Sequence, residues 1–312
     1  MNALKTQKSF ISRIWIYSRE MFPVLIYLPF VIALYSCINF IIQILSGNKI
    51  EIDTYSIAGV ISAFFMMLLL RTFDDLKDFE IDKDLFPTRA TPRKAVLKSD
   101  IVTLSVTSFV ILILINVFFA QHTLLIFAVM MIYALLTYKW FFAEKYHRSH
   151  IFVTMLDHQP LPYIINFYLF HTSLATGLVY ENFTFTHFVL LLIVSLPITA
   201  WEVSRKIRSH NMETQYETFS KVLGVKTATV IPLICITITG LLCLYIGKLL
   251  NFSIVFYIID IVLIIYAAFY YLRFLFIPEK KFNVLTNTSL ISTTLMFLNL
   301  LINTLVIYSI NG

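Results

Sequence analysis

Residues 71–84 read RTFDDLKDFEIDKD, and the fourteen residues directly before them, 57–70, read IAGVISAFFMMLLL. Five Asp and one Glu thus follow at once on an apolar run. Carboxylates are costly beside hydrocarbon unless something binds them. This junction decides the fold: the apolar side is read as the end of a membrane span, the acidic side as a functional segment at the membrane face.

The rest of the chain supports that setting. Of 312 residues, 59% are hydrophobic and only 13% charged, with seven Gly, which leaves too little polar surface for a soluble globule. Apolar stretches long enough to cross about 30 Å of hydrocarbon lie at 21–46, 55–73, 101–120, 123–142, 151–172, 184–201, 228–247, 252–276 and 286–309. The expectation is an all-α, multi-pass bundle of nine transmembrane helices forming one domain over residues 1–312. Short alternating strand patterns are absent, which argues against a membrane barrel. The first apolar run is too long for a signal-peptide core and lacks a small-residue cleavage site, so it is read as a span.

Charge sets the expected orientation. Of 24 Lys and Arg, all but Lys49 and Lys248 fall on one face of the nine-span arrangement. That places the N-terminus and the active face in the cytoplasm. The net charge of +6 is accounted for by this bias and by anionic membrane lipid, with no nucleic acid implied. Cys37, Cys235 and Cys243 lie inside spans and read as small buried hydrophobes. Seven His show no ligand spacing for a transition metal.

Two inner-face connections are long and charged, about 74–100 and 202–226, whereas the outer ones near Gln121 and Lys248 are short. If the second span continues past Arg71, then Arg71, Asp75, Asp78 and Asp82 form one helical stripe, with Asp74 adjoining it through Asp78. Like charges so placed repel. A hard divalent cation relieves the repulsion, and oxygen-only ligation suits Mg²⁺, which keeps positions for water and substrate phosphate. The plainer alternative is a solvated acidic helix end with Lys77 and Lys83 as neighbours.

The segment LRTFDDLKDFEIDKDLFPTRATPRKAV (70–96) resembles the first aspartate-rich motif of the UbiA superfamily of intramembrane prenyltransferases, R-x-x-N-D-x-x-D-x-x-x-D followed by P-T-R-x-x-P. Arg71, Asp75, Asp78, Asp82, Pro87, Thr88, Arg89 and Pro92 match, and Asp74 stands where the family usually has Asn. Soluble prenyl diphosphate synthases share only the shorter D-D-x-x-D, and the membrane composition separates the two. The second motif, D-x-x-x-D and a segment like T-L-P-V-x-x-G, is degenerate in WEVSRKIRSHNMETQYETFSKVLGVKTA (201–228). Glu202 takes the first acidic position, Lys206 replaces the second Asp, and residues 218–224 (TFSKVLG) resemble the closing segment.

The resemblance implies a UbiA-like nine-helix fold and a Mg²⁺-dependent transferase that ionises an isoprenoid diphosphate and passes the prenyl group to a lipophilic acceptor. It implies Asp75, Asp78 and Glu202 as catalytic groups and Asp74, Asp75, Asp78, Asp82 and Glu202 as metal ligands. Arg71, Arg89, Arg205, Lys206 and Lys139 are the candidate diphosphate-binding cations. Glu202, Arg205 and Lys206 lie at i, i+3 and i+4, so cations could neutralise a diphosphate where a second metal would otherwise sit; RKIR read alone is equally a basic topology signal. A terpene cyclase, with the same ionisation but no acceptor, is the alternative, and a non-catalytic membrane protein or transporter a third. The D-G-x-x-A-R pattern of CDP-alcohol phosphotransferases is missing. Residues 133–142 (YALLTYKWFF) offer aromatic faces for a carbocation, and Asp157 with His158 reads as either an acceptor-side base or a helix–helix contact.

Overall fold

The structure, a computed structural model, describes residues 9–176, 183–213 and 218–311. Every element among them is helical. The chain divides into two compact units, one of residues 1–32 and 52–142 and one of residues 33–51 and 143–312.

The first unit opens with α1 (Phe10–Glu20), whose N-terminus is capped by the Ser9 hydroxyl accepting from the Ser12 N–H. It carries the start of α2 (Val24–Leu45). α3 (Thr54–Lys77) begins at a capping box in which Asp53 accepts from the Ser56 N–H at 2.9 Å, satisfying donors that hydrocarbon would leave unpaired. α3 runs out of its apolar stretch into the acidic segment and ends at Lys77, and α4 (Phe79–Leu85) restarts after Asp78. α5 (Lys98–Phe119) packs along α3, and α6 (Leu124–Tyr138) follows. Inside this apolar pair Asn116 donates to the Ser62 hydroxyl at 3.0 Å, a polar clip between α3 and α5. A core of Tyr17, Met21, Phe22, Leu68, Ala90, Val96 and Ile101 ties α1 and the 86–97 loop to α3 and α5. After α6, Trp140, Phe141 and Phe142 all take positive φ, an arrangement that side chains rarely adopt.

The second unit takes the later part of α2 and holds it by polar contacts: Asn39 donates to Thr176 at 3.0 Å, and Gln43 donates to the Glu51 carbonyl at 3.0 Å. It contains α7 (Glu144–Ser149), α8 (Ile151–His158), α9 (Pro160–Ala175), α10 (Phe185–Ser204), α11 (Phe219–Leu223), α12 (Val225–Leu249), α13 (Ile254–Phe276) and α14 (Leu285–Asn311). α12 is central and packs on α10 and α13. Gly240 and Gly247 let α13 approach closely. A Cβ at Gly240 would sit 2.5 Å from Ile264, and one at Gly247 would sit 2.4 Å from Phe256. In α13 Asp260 is fully buried, and neither carboxylate oxygen has a partner among the described residues.

Eight helical stretches among the described residues are long and apolar enough to span a membrane. The expected crossing at 151–172 differs: it is two shorter helices, α8 and α9, parted at Gln159. Pro160 has no N–H to continue α8 and instead starts α9, the position proline tolerates best. The other eight expected spans each coincide with a long helix to within a few residues.

Candidate functional site

α3 and α4 deliver the first acidic segment, and the break between them reshapes the expected stripe. Asp78 is the C-terminal cap of α3 (φ −95°, ψ 9°), so Asp82 is carried on a separate short helix. Asp74 is exposed, Asp78 half-buried, and Asp75 and Asp82 are buried.

The two buried carboxylates are each held by an arginine of the motif. Arg71 donates to Asp75 Oδ1 at 2.7 Å, one helical turn away. Arg89 donates to both oxygens of Asp82 at 2.9 and 2.8 Å, and its guanidinium lies 3.8 Å from the centre of the Phe86 ring. The other oxygen of Asp75, Oδ2, accepts from the Tyr17 hydroxyl of α1 at 2.8 Å. Burial and the neighbouring Asp75 charge together hold the Tyr17 phenol far above its ordinary pKa, so it stays a donor. Asp82 and Arg89 lie near enough to Asp75 to act on it electrostatically.

Lys77 closes the apolar side of this cluster. Its ammonium donates to the Thr137 carbonyl at 3.2 Å and sits 4.0 Å from the centre of the Trp140 ring. Lys139 is exposed, with its ammonium 5.2 Å from the centre of the Tyr138 ring.

In the second unit Glu202 lies in the last turn of α10 and binds both of its cationic neighbours. Arg205 donates to it through two nitrogens, one at 2.7 Å, and Lys206 approaches at 2.8 Å. Both cations are therefore already engaged with a carboxylate, and any diphosphate contact means sharing them. The following loop is folded back by its own polar side chains. Thr218 caps α11, and Thr218 and Ser220 both donate to Glu213, at 2.7 and 2.6 Å. Ser220 also accepts from the Arg208 N–H at 2.8 Å, and Phe219 N–H donates to the Lys206 carbonyl at 3.0 Å. Gly224 ends this turn at φ 79°, which a side chain would strain. Residues 214–217 of the segment lie outside the described residues.

Among the described residues no three acidic, His or Cys side chains converge as a preformed metal cage. The donor set nevertheless fits Mg²⁺, which uses one or two carboxylates and leaves its other positions to water and phosphate. Asp74 is solvent-accessible in the last turn of α3. Asp157 pairs with His147 Nε2 at 2.9 Å. His158 bonds the Thr154 carbonyl at 2.7 Å. Sequence reasoning missed Tyr17 and Glu213; Tyr17 is uncharged and outside both motifs, Glu213 is at no motif position, and only the α1 packing and the loop fold bring them to these groups.

Fold and site together define a polytopic, all-helical membrane protein that carries an arginine-braced acidic cluster at the end of a span. The sequence matches the UbiA prenyltransferase family over residues 34–301, and the chain belongs to that family. Its fold is similar to that in a solved structure described as giving structural and mechanistic insights into the biosynthesis of digeranylgeranylglyceryl phosphate synthase in membranes. The TM-score is 0.62 at 16% identity, covering 94% of this chain and 98% of the other. Comparison with curated proteins returns no match.

Proposed function

We propose that this protein is a Mg²⁺-dependent prenyltransferase that ionises an isoprenoid diphosphate and transfers the prenyl group to a lipophilic acceptor. One observation carries the reading: Asp74, Asp75, Asp78 and Asp82 outnumber Arg71, Lys77 and Arg89 among the grouped charges, and both arginines already hold aspartates. A net negative cluster repels a diphosphate unless a divalent cation bridges the two. Asp74 and Asp78, with Asp75 and Asp82 beside them, would hold Mg²⁺; when bound it neutralises the charge that builds on the departing diphosphate.

The protein's own groups do the remaining work. Arg71 and Arg89 orient Asp75 and Asp82 and can share their unused N–H donors with phosphate oxygens. Glu202 takes the first acidic position of the second motif by resemblance, and Arg205 and Lys206 beside it supply positive charge where the family's second carboxylate is missing. Heterolysis of the C1–O bond sends its electron pair to the diphosphate oxygen and leaves an allylic cation. The acceptor's nucleophilic atom then bonds C1 and loses its proton.

The test is to incubate membranes containing the protein with geranyl, farnesyl and geranylgeranyl diphosphate, with and without lipid extract, and to follow diphosphate release. Release that depends on lipid extract and stops on chelation with EDTA supports the reading. Hydrocarbon products without extract would mark a cyclase instead. An Asp75→Ala or Asp78→Ala protein that folds yet turns over normally would reject the role of the acidic cluster.

A further inference from the structure

The N-terminal helix α1 belongs to no motif, yet it is tethered at three points around the acidic cluster. Arg13 donates to both oxygens of Asp100 at the start of α5, at 2.6 and 2.8 Å. Arg93 of the 86–97 loop donates to both oxygens of Glu20, at 2.6 and 2.8 Å. Between these, Tyr17 donates to Asp75 at 2.8 Å. Arg13, Tyr17 and Glu20 are spaced i, i+4, i+7, so one face of an eleven-residue helix makes all three contacts. Tyr17 itself is only 1% exposed and packs with Leu68, Ala90 and Ile101.

The opposite face is exposed and carries Ile11 and Trp15, with Ser12, Ser18 and Arg19 alongside. Ile11 is 80% exposed and Trp15 60% exposed, one turn apart. Arg19 lies 5.9 Å from the Trp15 ring centre. Only residues 21–23 separate α1 from the membrane-spanning α2, whose first exposed side chains are Leu25 and Ile26. A link this short keeps α1 close to the end of the span where α2 begins. A Trp flanked by Arg, on a short helix at the end of a span, is the composition that settles at the headgroup boundary.

We propose that α1 lies in the lipid interface on its Ile11–Trp15 face and that Tyr17, carried on its opposite face, is a positioning residue for the Asp75 carboxylate. The occupant of the exposed face is membrane lipid. Arg71 on Oδ1 and Tyr17 on Oδ2 fix the carboxylate at both ends, while a carboxylate's roughly four acceptor sites leave about two free. Lipid contact thereby becomes a condition for the geometry of the acidic cluster. The role given to Asp75 rests on the prenyl-transfer reading above, and Tyr17 touches neither substrate nor metal in it.

The test uses the full chain in vesicles of phosphatidylethanolamine and phosphatidylglycerol, with Trp140 and Trp201 replaced by Phe so that Trp15 alone reports. Lipids brominated near the headgroup should quench Trp15 more strongly than lipids brominated near the chain ends. Absence of quenching by either would overturn the interfacial placement. In the otherwise unaltered protein, Tyr17→Phe keeps the ring and deletes the hydroxyl. It should lower kcat for diphosphate release about tenfold while KM moves less than about twofold. Trp15→Glu should reproduce that loss in vesicles, with the same size-exclusion profile as the parent protein. If Asp75→Ala is inactive while Tyr17→Phe has normal kcat, the positioning role falls and the prenyl-transfer reading stands. If Asp75→Ala releases diphosphate normally, the reading of the acidic cluster falls and the role of Tyr17 falls with it.

Discussion

Arg89 is the residue on which Asp82 most depends, because it supplies both hydrogen bonds to a carboxylate that is otherwise buried. Removing one partner of such a pair leaves an uncompensated charge, a larger loss than the pair's net contribution. Arg89→Ala is therefore expected to lower both the thermal unfolding midpoint in detergent and diphosphate release, whereas Arg89→Lys keeps the charge and loses the planar guanidinium over the Phe86 ring. An Arg89→Lys protein indistinguishable from the parent in both measurements would show that charge alone suffices. At Lys206 the expectation is different. Glu202 keeps its two contacts from Arg205 when Lys206 is removed, so Lys206→Ala should fold normally. A charge-assisted contact to a phosphate is worth about 1.5–3 kcal/mol, so its catalytic efficiency should fall roughly ten- to hundredfold. Steady-state kinetics across a Mg²⁺ titration decide this, and unchanged efficiency would leave RKIR as a topology signal only. The pattern of charges was legible in the sequence. Which charges pair was not, because several acids lie within reach of each donor along the sequence and only the packed geometry settles the partners.

At the scale of elements, the close approach of α12 and α13 rests on two glycines. Gly247→Leu would drive its side chain into the ring of Phe256, which is buried and also contacts Phe252, and should destabilise the protein by about 1–3 kcal/mol. Gly240→Ala meets the end of the flexible Ile264 side chain and should cost less. A thermal melt of both variants tests this order. Asp260 on the same interface is a buried carboxyl without a partner among the described residues, and such a group costs stability. Asp260→Leu should accordingly raise the unfolding midpoint; a clear drop would mean the carboxyl is satisfied by something that binds there. The apolar runs placed eight helices correctly from hydrophobicity alone. The α3–α4 break at Asp78 and the α8–α9 break before Pro160 escaped a reading by hydropathy, since a span is recognised by its average and a break by one residue's backbone.

At the scale of the whole molecule, we propose from the distribution of Lys and Arg that the N-terminus and the two charged connections face the cytoplasm. Cysteine introduced at Ser99 or His210, both exposed, should resist a membrane-impermeant maleimide applied to intact cells and react after permeabilisation. Ser209 is unsuitable as a probe because it is buried, and the native Cys37, Cys235 and Cys243 are buried enough to give little background. Ready labelling of either site from outside would reverse the orientation. What the sequence by itself determined was the membrane class, the approximate spans and the acidic motif, because hydrocarbon thickness and charge transfer act on composition and spacing that any linear reading can count. What only the tertiary structure decided was which side chains meet: Tyr17 lies 58 residues from Asp75, and Arg13 lies 87 from Asp100. Contacts of that separation come from the packing of α1 against α3 and α5, and no local periodicity encodes them.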